Sequence, residues 1–452
     1  MSLTDRIEVS LTDRTMTMSR RILDISFFLL ALVSLAYAVA TAPLGGADLG
    51  LFRACGQSWL DGTYAIGTGP APLYPPFSVP LFAPLALVRF DYLVIIWLAF
   101  NLAITLLTLH LAIRLYGSDW ILKHKVYVSG LLLTWAGFRV TLRLGHISLL
   151  MTAFVLGALL ANRRNRKVLA GILIGLSLAK FSLTLPFLLY FIFRKEWKVV
   201  GVAVIVPVVL AEVFALRMGT TVIDSCRAYA NVMLAGQVAG GTGWLGTAGN
   251  TEMRPLLLSI AGGNEALTLI LTITLGLAGL IAMAVVFAQT SKCENAHFAV
   301  LALFALWSTY HRVYDSVICI VPAALLVDFV VRKKLVGFSR FWLAGLGLLA
   351  LSLPGLLTER LHLKAAEVSG NPLGWLGLHI ERFLVFGLFW SLLVVMWRAT
   401  RSHRASASDS SISTSEPTPP SPAEPKSAHS KRSGCSRVIR DQSGWNWNQP
   451  AS

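Results

Sequence analysis

Asp48 and Lys180 are the residues whose chemistry is most conspicuous in this sequence, because both lie in or beside long apolar stretches. Ionisable side chains are costly to place in a membrane, so each is a functional candidate. Asp48 could act as a general base toward a hydroxyl group within hydrogen-bond reach, or it could cap a helix that starts after it. Lys180 could bind an anion such as a phosphate, or its ammonium group could extend to the membrane interface.

Further polar residues gather where other apolar stretches begin or end. They comprise Arg139, Arg143 and His146 before one stretch, and Tyr310, His311, Arg312, Tyr314 and Asp315 in one short turn. These residues would together form a polar cavity with charges of both signs. Such a cavity is compatible with an enzyme or with a transporter, and the residues alone leave both interpretations open.

The composition restricts the protein to the membrane class. Of its 452 residues, 55% are hydrophobic and 14% are charged, whereas soluble domains contain about 25% charged residues. Apolar runs of about 15 to 25 residues recur from Ile22 to Trp397, near the length that a bilayer requires. The net charge of +16 comes from short basic groups between these runs, so we do not expect a nucleic-acid partner.

The basic groups predict the topology. Lys and Arg in short loops mark the cytoplasmic side of a membrane, so the groups at 123–125, 163–167, 194–198 and 332–334 should all lie inside. The first apolar run could alternatively be a cleaved signal peptide. Counting outward from the basic groups predicts about twelve spans with both termini cytoplasmic. These spans are 22–42, 92–115, 126–139, 147–162, 168–182, 183–193, 199–216, 266–288, 296–310, 313–331, 339–357 and 378–397.

Two long outer loops are predicted, at 43–91 and 217–264. The apolar segment 74–86 contains four prolines, which break helical hydrogen bonding, so we expect a short interfacial or re-entrant piece rather than a span. The predicted fold is therefore an all-α integral membrane domain over residues 22–397. Residues 1–21 are predicted to be a cytoplasmic N-terminal segment and 398–452, rich in Ser and Pro, a disordered cytoplasmic tail.

Several short motifs follow one another along the apolar runs. They are Asp48, Asp61-Gly-Thr-Tyr64, Tyr74-Pro75-Pro76, the Gly-rich run from Gly171 to Lys180, Gly249-Asn250-Thr251, and the turn from Tyr310 to Asp315 with Pro322. In this order they resemble glycosyltransferase family 87, the polyprenyl-phosphate-sugar-dependent polytopic enzymes of the C-type glycosyltransferase superfold. Two stretches depart from the pattern of many members: Gly145-His146-Ile147-Ser148 and the late turn itself.

The resemblance implies a bundle of about twelve transmembrane helices, with large outer loops that carry short interfacial helices. It also implies an enzyme that moves a mannose-like hexose from a polyprenyl-phosphate donor to a lipid or glycan acceptor on the outer face of the cytoplasmic membrane. By the same resemblance Asp48 would be the general base. The other implied roles are donor-phosphate binding by Lys180, Arg139, Arg143 and Arg312, and orientation of donor or acceptor by His311, His146, Tyr74 and Asn250.

The sequence suggests neither a metal nor a cofactor. The outer loops lack paired carboxylates such as Asp-x-Asp, and the chain lacks a phosphate-binding Gly-rich loop. Its five cysteines form no CxxC pair, although a bridge between Cys55 and Cys226 stays open.

Two rival classes are a multispan transporter or lipid flippase and a non-catalytic anchoring protein. Transporters often place charges near the bilayer midplane and show repeated halves, whereas the polar residues here gather at one predicted face. We therefore expect an enzyme whose partners are the donor, the acceptor and membrane lipids.

Overall fold

The computed structural model describes residues 46–66, 74–116, 136–239, 252–290, 294–309 and 313–331, with His311, residues 129 and 133, most of 25–40, and 379–398 except 381. These residues form helices joined by turns, without a strand among them. The helices are α1 Ala47–Leu60, α2 Phe90–Tyr116, α3 Ala136–Leu144, α4 Ser148–Arg163, α5 Lys167–Ser177, α6 Phe181–Phe193, α7 Trp197–Met218, α8 Val222–Ala239, α9 Arg254–Ile260, α10 Glu265–Gln289, α11 Glu294–Ser308 and α12 Ile320–Val331. A further helix occupies 382–398.

By length and composition, four helical stretches in the described part of the chain could cross a membrane. They are Phe90–Leu115, Lys167–Phe193, Trp197–Met218 and Glu265–Gln289. Their outer surfaces are apolar, with Ile95, Ile205 and Ile270 each more than half exposed, as lipid-facing side chains are. The apolar helices indicate a membrane protein. The count of twelve spans stays a prediction, since 332–378, including the predicted span 339–357, lies outside the described residues.

The stretch Lys167–Phe193 folds back on itself. A straight helix of this length would extend about 40 Å, yet Lys167 Nζ lies 2.8 Å from Glu196 Oε2, just beyond the other end. The chain reverses in the 3-10 turn Leu178–Lys180, where Lys180 leaves helical geometry at φ −118° and ψ 67°. The two segments predicted here are therefore separate antiparallel helices, but each arm, at about 17 to 20 Å, is shorter than a bilayer core of about 30 Å.

Close packing against α7 holds this hairpin in place. Gly171 and Gly175, one turn apart on α5, face α7 with no room for a side chain. A Cβ atom at Gly171 would lie 2.5 Å from Val202 Cβ, and one at Gly175 would lie 2.6 Å from Val206 Cβ. Small residues at this spacing let two helices in a membrane approach closely. Here they hold α5, the helix that leads to Lys180, against α7.

One end of the bundle, which we call the Arg163 end, carries a network of ion pairs. Glu294 lies 3.2 Å from Arg163 and 3.8 Å from Arg194, and it accepts a hydrogen bond from Tyr190. Together with the Lys167 to Glu196 pair, these contacts bring together the ends of α4 and α6 and the starts of α5, α7 and α11. The basic groups at 163–167 and 194–198 therefore meet at one end of the bundle, and their cytoplasmic location stays a prediction. Those at 123–125 and 332–334 lie outside the described residues.

The segment 74–86 is short and packed inside the protein. Pro76–Phe82 is a 3-10 helix that continues into one helical turn, Ala83–Ala86. Pro76, Ser78 and Val79 are buried, and the 3-10 helix contacts both α1 and α7. The eleven residues of Pro76–Ala86 are too few to cross a bilayer, in agreement with the prediction. The second predicted outer loop contains two helices, α8 and α9.

Cys55 and Cys226, between which the sequence left a disulfide bridge open, are both free thiols.

Candidate active site

A buried ion pair lies at the end of the bundle opposite Arg163. Lys180 Nζ is 2.6 Å from Asp315 Oδ1, and the two side chains are 9% and 2% exposed. Lys180 comes from the turn between α5 and α6, and Asp315 from the 3-10 helix Val313–Cys319. A buried pair of this kind is costly to desolvate and needs further hydrogen bonds around it. We call this region the Lys180 end.

Ser148, the first residue of α4, supplies one of those hydrogen bonds. Lys180 Nζ donates to Ser148 Oγ at 3.1 Å, and the Ser148 hydroxyl donates a short hydrogen bond to Asp315. The hydroxyl oxygen is also 2.6 Å from His146 Nδ1. Ser148 therefore joins the cation, the carboxylate and the imidazole in one network.

His146 extends the network toward the 43–91 segment. Its Nδ1 accepts a hydrogen bond from the Ser148 backbone N–H at 3.1 Å. Nε2 lies 2.9 Å from the Tyr74 hydroxyl and 3.2 Å from Lys180 Nζ. The imidazole stacks on Tyr314, with ring centroids 3.9 Å apart, and Lys180 lies over the same ring at 4.7 Å, a cation–π contact.

Gly145 fixes the turn that presents His146. Its φ of +70° is in the left-handed region, and a Cβ atom there would lie 2.9 Å from Leu49 Cβ, so only glycine fits. Trp97 Nε1 donates to the Gly145 carbonyl at 2.8 Å. Because Trp97 is seven residues into α2, the turn lies about 10 Å below the start of that helix. The network is therefore recessed within the bundle.

His311 completes the contacts of Asp315. Its Nδ1–H donates to Asp315 Oδ2 at 2.9 Å, and its Nε2 is 2.9 Å from Thr309 Oγ1. Both carboxylate oxygens of Asp315 are thus engaged, one by Lys180 and Ser148 and the other by His311. An anion held in this way is a poor proton acceptor.

Asp48 borders the network from α1. It lies half-buried in the first turn of that helix. One turn further, the Phe52 ring contacts Tyr74 and His146, with centroids 5.3 and 5.8 Å apart. Burial raises the pKa of the Tyr74 phenol well above its ordinary value, and the nearby Tyr314, Asp315 and Asp48 add to this shift. Asp48 therefore lies one helical turn before the residue of α1 that contacts the network.

The remaining predicted residues are less closely connected to the network. Arg139 is half-buried and Arg143 exposed, and both lie on α3. Within the described residues no hydrogen bond or ion pair joins either of them to Lys180 or Asp315. Arg312 and Asn250 lie outside the described residues.

Sequence reasoning gave no role to Asp315 and Ser148, two central members of the network. Asp315 follows His311 by four residues, a spacing that places two side chains on one side of a helical turn. That spacing was a usable signal for the Asp315 contact. Ser148 offered none, because a serine at the start of a helix is common.

An apolar helical bundle with a buried charged network near one end is typical of membrane proteins that handle polar groups at the membrane. The model of glycosyltransferase family 87 matches residues 73–309. This match covers more than half of the 452 residues, and the chain belongs to that family. The chain matched none of the curated proteins and none of the solved structures with which it was compared.

Membership indicates a glycosyltransferase, which requires a sugar donor and an acceptor. The matched region contains Tyr74, His146 and Lys180; it begins after Asp48 and ends before His311 and Asp315. In the described residues no three His, Cys, Asp or Glu side chains are grouped to hold a metal ion.

Proposed function

We propose that this protein transfers a mannose-like hexose from a polyprenyl-phosphate donor to a lipid or glycan acceptor at the outer face of the cytoplasmic membrane. The observation that carries the proposal is the buried network of Lys180, Asp315, Ser148 and His146, with Asp48 at its border. It lies in a bundle with apolar outer surfaces, which suits a donor whose lipid is apolar and whose phosphate is charged.

Asp48 is the general base in this proposal. The acceptor oxygen forms a bond to the anomeric carbon, the bond from that carbon to the phosphate oxygen breaks, and the hydroxyl proton passes to the base. Asp315 is unsuited to this role, because Lys180, Ser148 and His311 occupy its oxygens. Asp48 is half-buried at the edge of the network, where an acceptor can approach.

Lys180 stabilises the departing polyprenyl phosphate. Negative charge builds on the phosphate oxygens as the bond to the sugar breaks, and a preorganised cation lowers the energy of that transition state. Its ammonium group already contacts Asp315, Ser148 and His146, so the phosphate would replace one of these partners. In the same proposal Arg139, Arg143 and Arg312 contribute further positive charge.

Tyr74 and His146 orient the donor sugar or the acceptor. Their hydrogen bond joins the 43–91 segment, which contains Tyr74, to the network. His311 holds Asp315 in place, and Asn250 contributes from the second outer loop. In this proposal the Lys180 end faces outside, because basic groups such as those of the Arg163 end mark the cytoplasmic side of a membrane protein.

The test is transfer of radiolabelled sugar from polyprenyl-phosphate donors, mannose first, to a membrane glycolipid and glycan extract. Purified wild type should transfer sugar, and Asp48→Asn should lower the rate about a hundredfold or more, as loss of a general base does. Asp91→Asn is the matched control, because Asp91 is an exposed carboxylate at the start of α2.

Three outcomes are informative. Full activity in a folded Asp48→Asn variant would show that the base is elsewhere. Equal losses in the Asp48 and Asp91 variants would point to a general effect of charge. Uptake of sugar or lipid into vesicles, without sugar transfer from any donor, would favour a transporter over an enzyme.

A further inference from the structure

A second buried polar cluster lies outside the Lys180 network. It consists of Glu252, His379 and Arg382, which are 4%, 7% and 3% exposed. Arg382 Nε donates to the Glu252 backbone carbonyl at 3.0 Å, and another guanidinium nitrogen is 2.8 Å from His379 Nδ1. Residues 130 positions apart in the chain thus meet in the protein interior.

The cluster is at the Lys180 end of the bundle and adjoins the network there. The Met253 backbone N–H donates to the Trp307 carbonyl at 3.0 Å. Two residues after Trp307, the Thr309 hydroxyl contacts His311 of the network. Arg254 pairs with Glu265 at the start of α10, a helix whose other end leads to Glu294 at the Arg163 end. One short stretch of chain therefore connects the two clusters.

Glu252 has a side-chain oxygen that no described residue engages by a hydrogen bond. Its Oε1 is buried without a hydrogen-bond partner among the described residues. Burial raises the pKa of Glu252 to about 7, against the opposing effect of Arg382 and Arg254. Buried polar atoms are nearly always hydrogen-bonded in folded proteins, and an exception calls for a ligand or another explanation.

The chemistry of the cluster favours a hydroxyl group over a phosphate. A carboxylate repels a phosphate, whereas it accepts a hydrogen bond from a hydroxyl group, and a protonated carboxyl group can donate one. A sugar presents several hydroxyl groups that both donate and accept. The cationic Lys180 is better suited to the phosphate, so the two clusters suit the two substrates of one transfer reaction.

We propose that Glu252, supported by Arg382 and His379, binds a sugar hydroxyl group of the acceptor and so forms an acceptor subsite beside the Lys180 network. This inference rests on the proposed glycosyl transfer. Glu252 acts here as a binding residue, and the proton of the reacting hydroxyl group still passes to Asp48.

The test measures initial rates of transfer from a radiolabelled polyprenyl-phosphate mannose while either the donor or the glycolipid extract that serves as acceptor is varied. Glu252→Gln keeps the size of the side chain and removes its charge. We expect it to raise the apparent KM for the acceptor about tenfold or more, as loss of a hydrogen bond to a charged group does. The KM for the donor should stay within about twofold, well inside the effect of one such bond.

A matched control and a second variant separate binding from folding. Asp224→Asn, on the exposed part of α8, should change neither KM. Glu252→Asp keeps the charge but withdraws it by one methylene, and it should also raise the acceptor KM. If Glu252 were only structural, both substitutions would lower Tm without separating the two KM values.

The inference is overturned if wild type transfers sugar while Glu252→Gln leaves the acceptor KM unchanged, or raises the donor KM instead. Those results would leave the proposed function standing. If wild type transfers sugar from no donor, the proposed function fails first and the acceptor subsite fails with it.

Discussion

The two ends of the bundle use the same kinds of charged side chains in different environments. At the Arg163 end, Arg163 and Glu294 are each 31% exposed, and the pair connects helix termini. At the Lys180 end, Lys180 and Asp315 are almost completely buried and share their hydrogen bonds with Ser148 and two histidines. Exposed pairs contribute little to stability, whereas a buried pair is costly to form and costly to break.

This difference suggests that the charges at the Arg163 end determine the topology, whereas those at the Lys180 end take part in chemistry. The exposed basic groups are what a membrane protein needs on its cytoplasmic side. A buried pair offers little net stability over apolar side chains of similar size, so we propose that the Lys180–Asp315 pair serves substrate binding rather than folding. The predictions below test this contrast.

The largest expected effect on stability follows from breaking the buried pair on one side. Asp315→Ala leaves Lys180 buried without its carboxylate, which should lower the free energy of unfolding by about 3 to 5 kcal/mol. Denaturant unfolding in detergent measures this loss. Asp91→Ala, which removes an exposed carboxylate, should change stability by less than about 0.5 kcal/mol. Equal losses in the two variants would remove the contrast between buried and exposed charge.

An intermediate effect is expected at the contact between α5 and α7. Gly171→Val would force a side chain against Val202 and should cost about 1 to 3 kcal/mol. Since α5 leads to Lys180, transfer activity should fall as well. Gly201→Ala is the control, because a Cβ atom there meets nothing within 4 Å. Wild-type stability in Gly171→Val would mean that the hairpin is held by other contacts.

The smallest effect is expected at the Arg163 end. Glu294→Gln removes the carboxylate that pairs with Arg163 and Arg194 but should cost about 1 kcal/mol or less. The cost should shrink further as salt is raised, because exposed charges are screened. Unfolding at low and high salt provides the measurement. A loss as large as that of Asp315→Ala would show that this end also depends on its ion pairs.

Much of the fold could be predicted from the sequence. Apolar run length placed the helices now seen as α2, α4, α7, α10 and α11 within two residues of their predicted ends, because bilayer thickness and helix rise tightly constrain such runs. The sharing of one end by two basic groups followed from the charge pattern alone. The reversal at Leu178–Lys180 was predicted a few residues late, since the apolar run continues beyond Lys180 to Phe193 without a further charge.

The candidate site could be predicted only in part. The sequence identified Lys180, His146, His311 and Tyr74 as candidates, and the structure brings all four into one network. It did not reveal that Lys180 pairs with Asp315, 135 residues away, because such pairing depends on how the helices pack. For the same reason the meeting of Glu252 with Arg382 could not be predicted.

The most direct measurement is sugar transfer by the double variant Lys180→Met with Asp315→Leu. Replacing both members of a buried pair by apolar side chains of similar size is often neutral or stabilising, so we expect the variant to fold, and its Tm is measured beside that of wild type. We predict that it transfers sugar about a hundredfold more slowly or worse, because the charge that stabilises the leaving phosphate is lost, while Arg163→Ala stays active. Retained activity in the folded double variant would contradict the assignment of the Lys180 end as the active site.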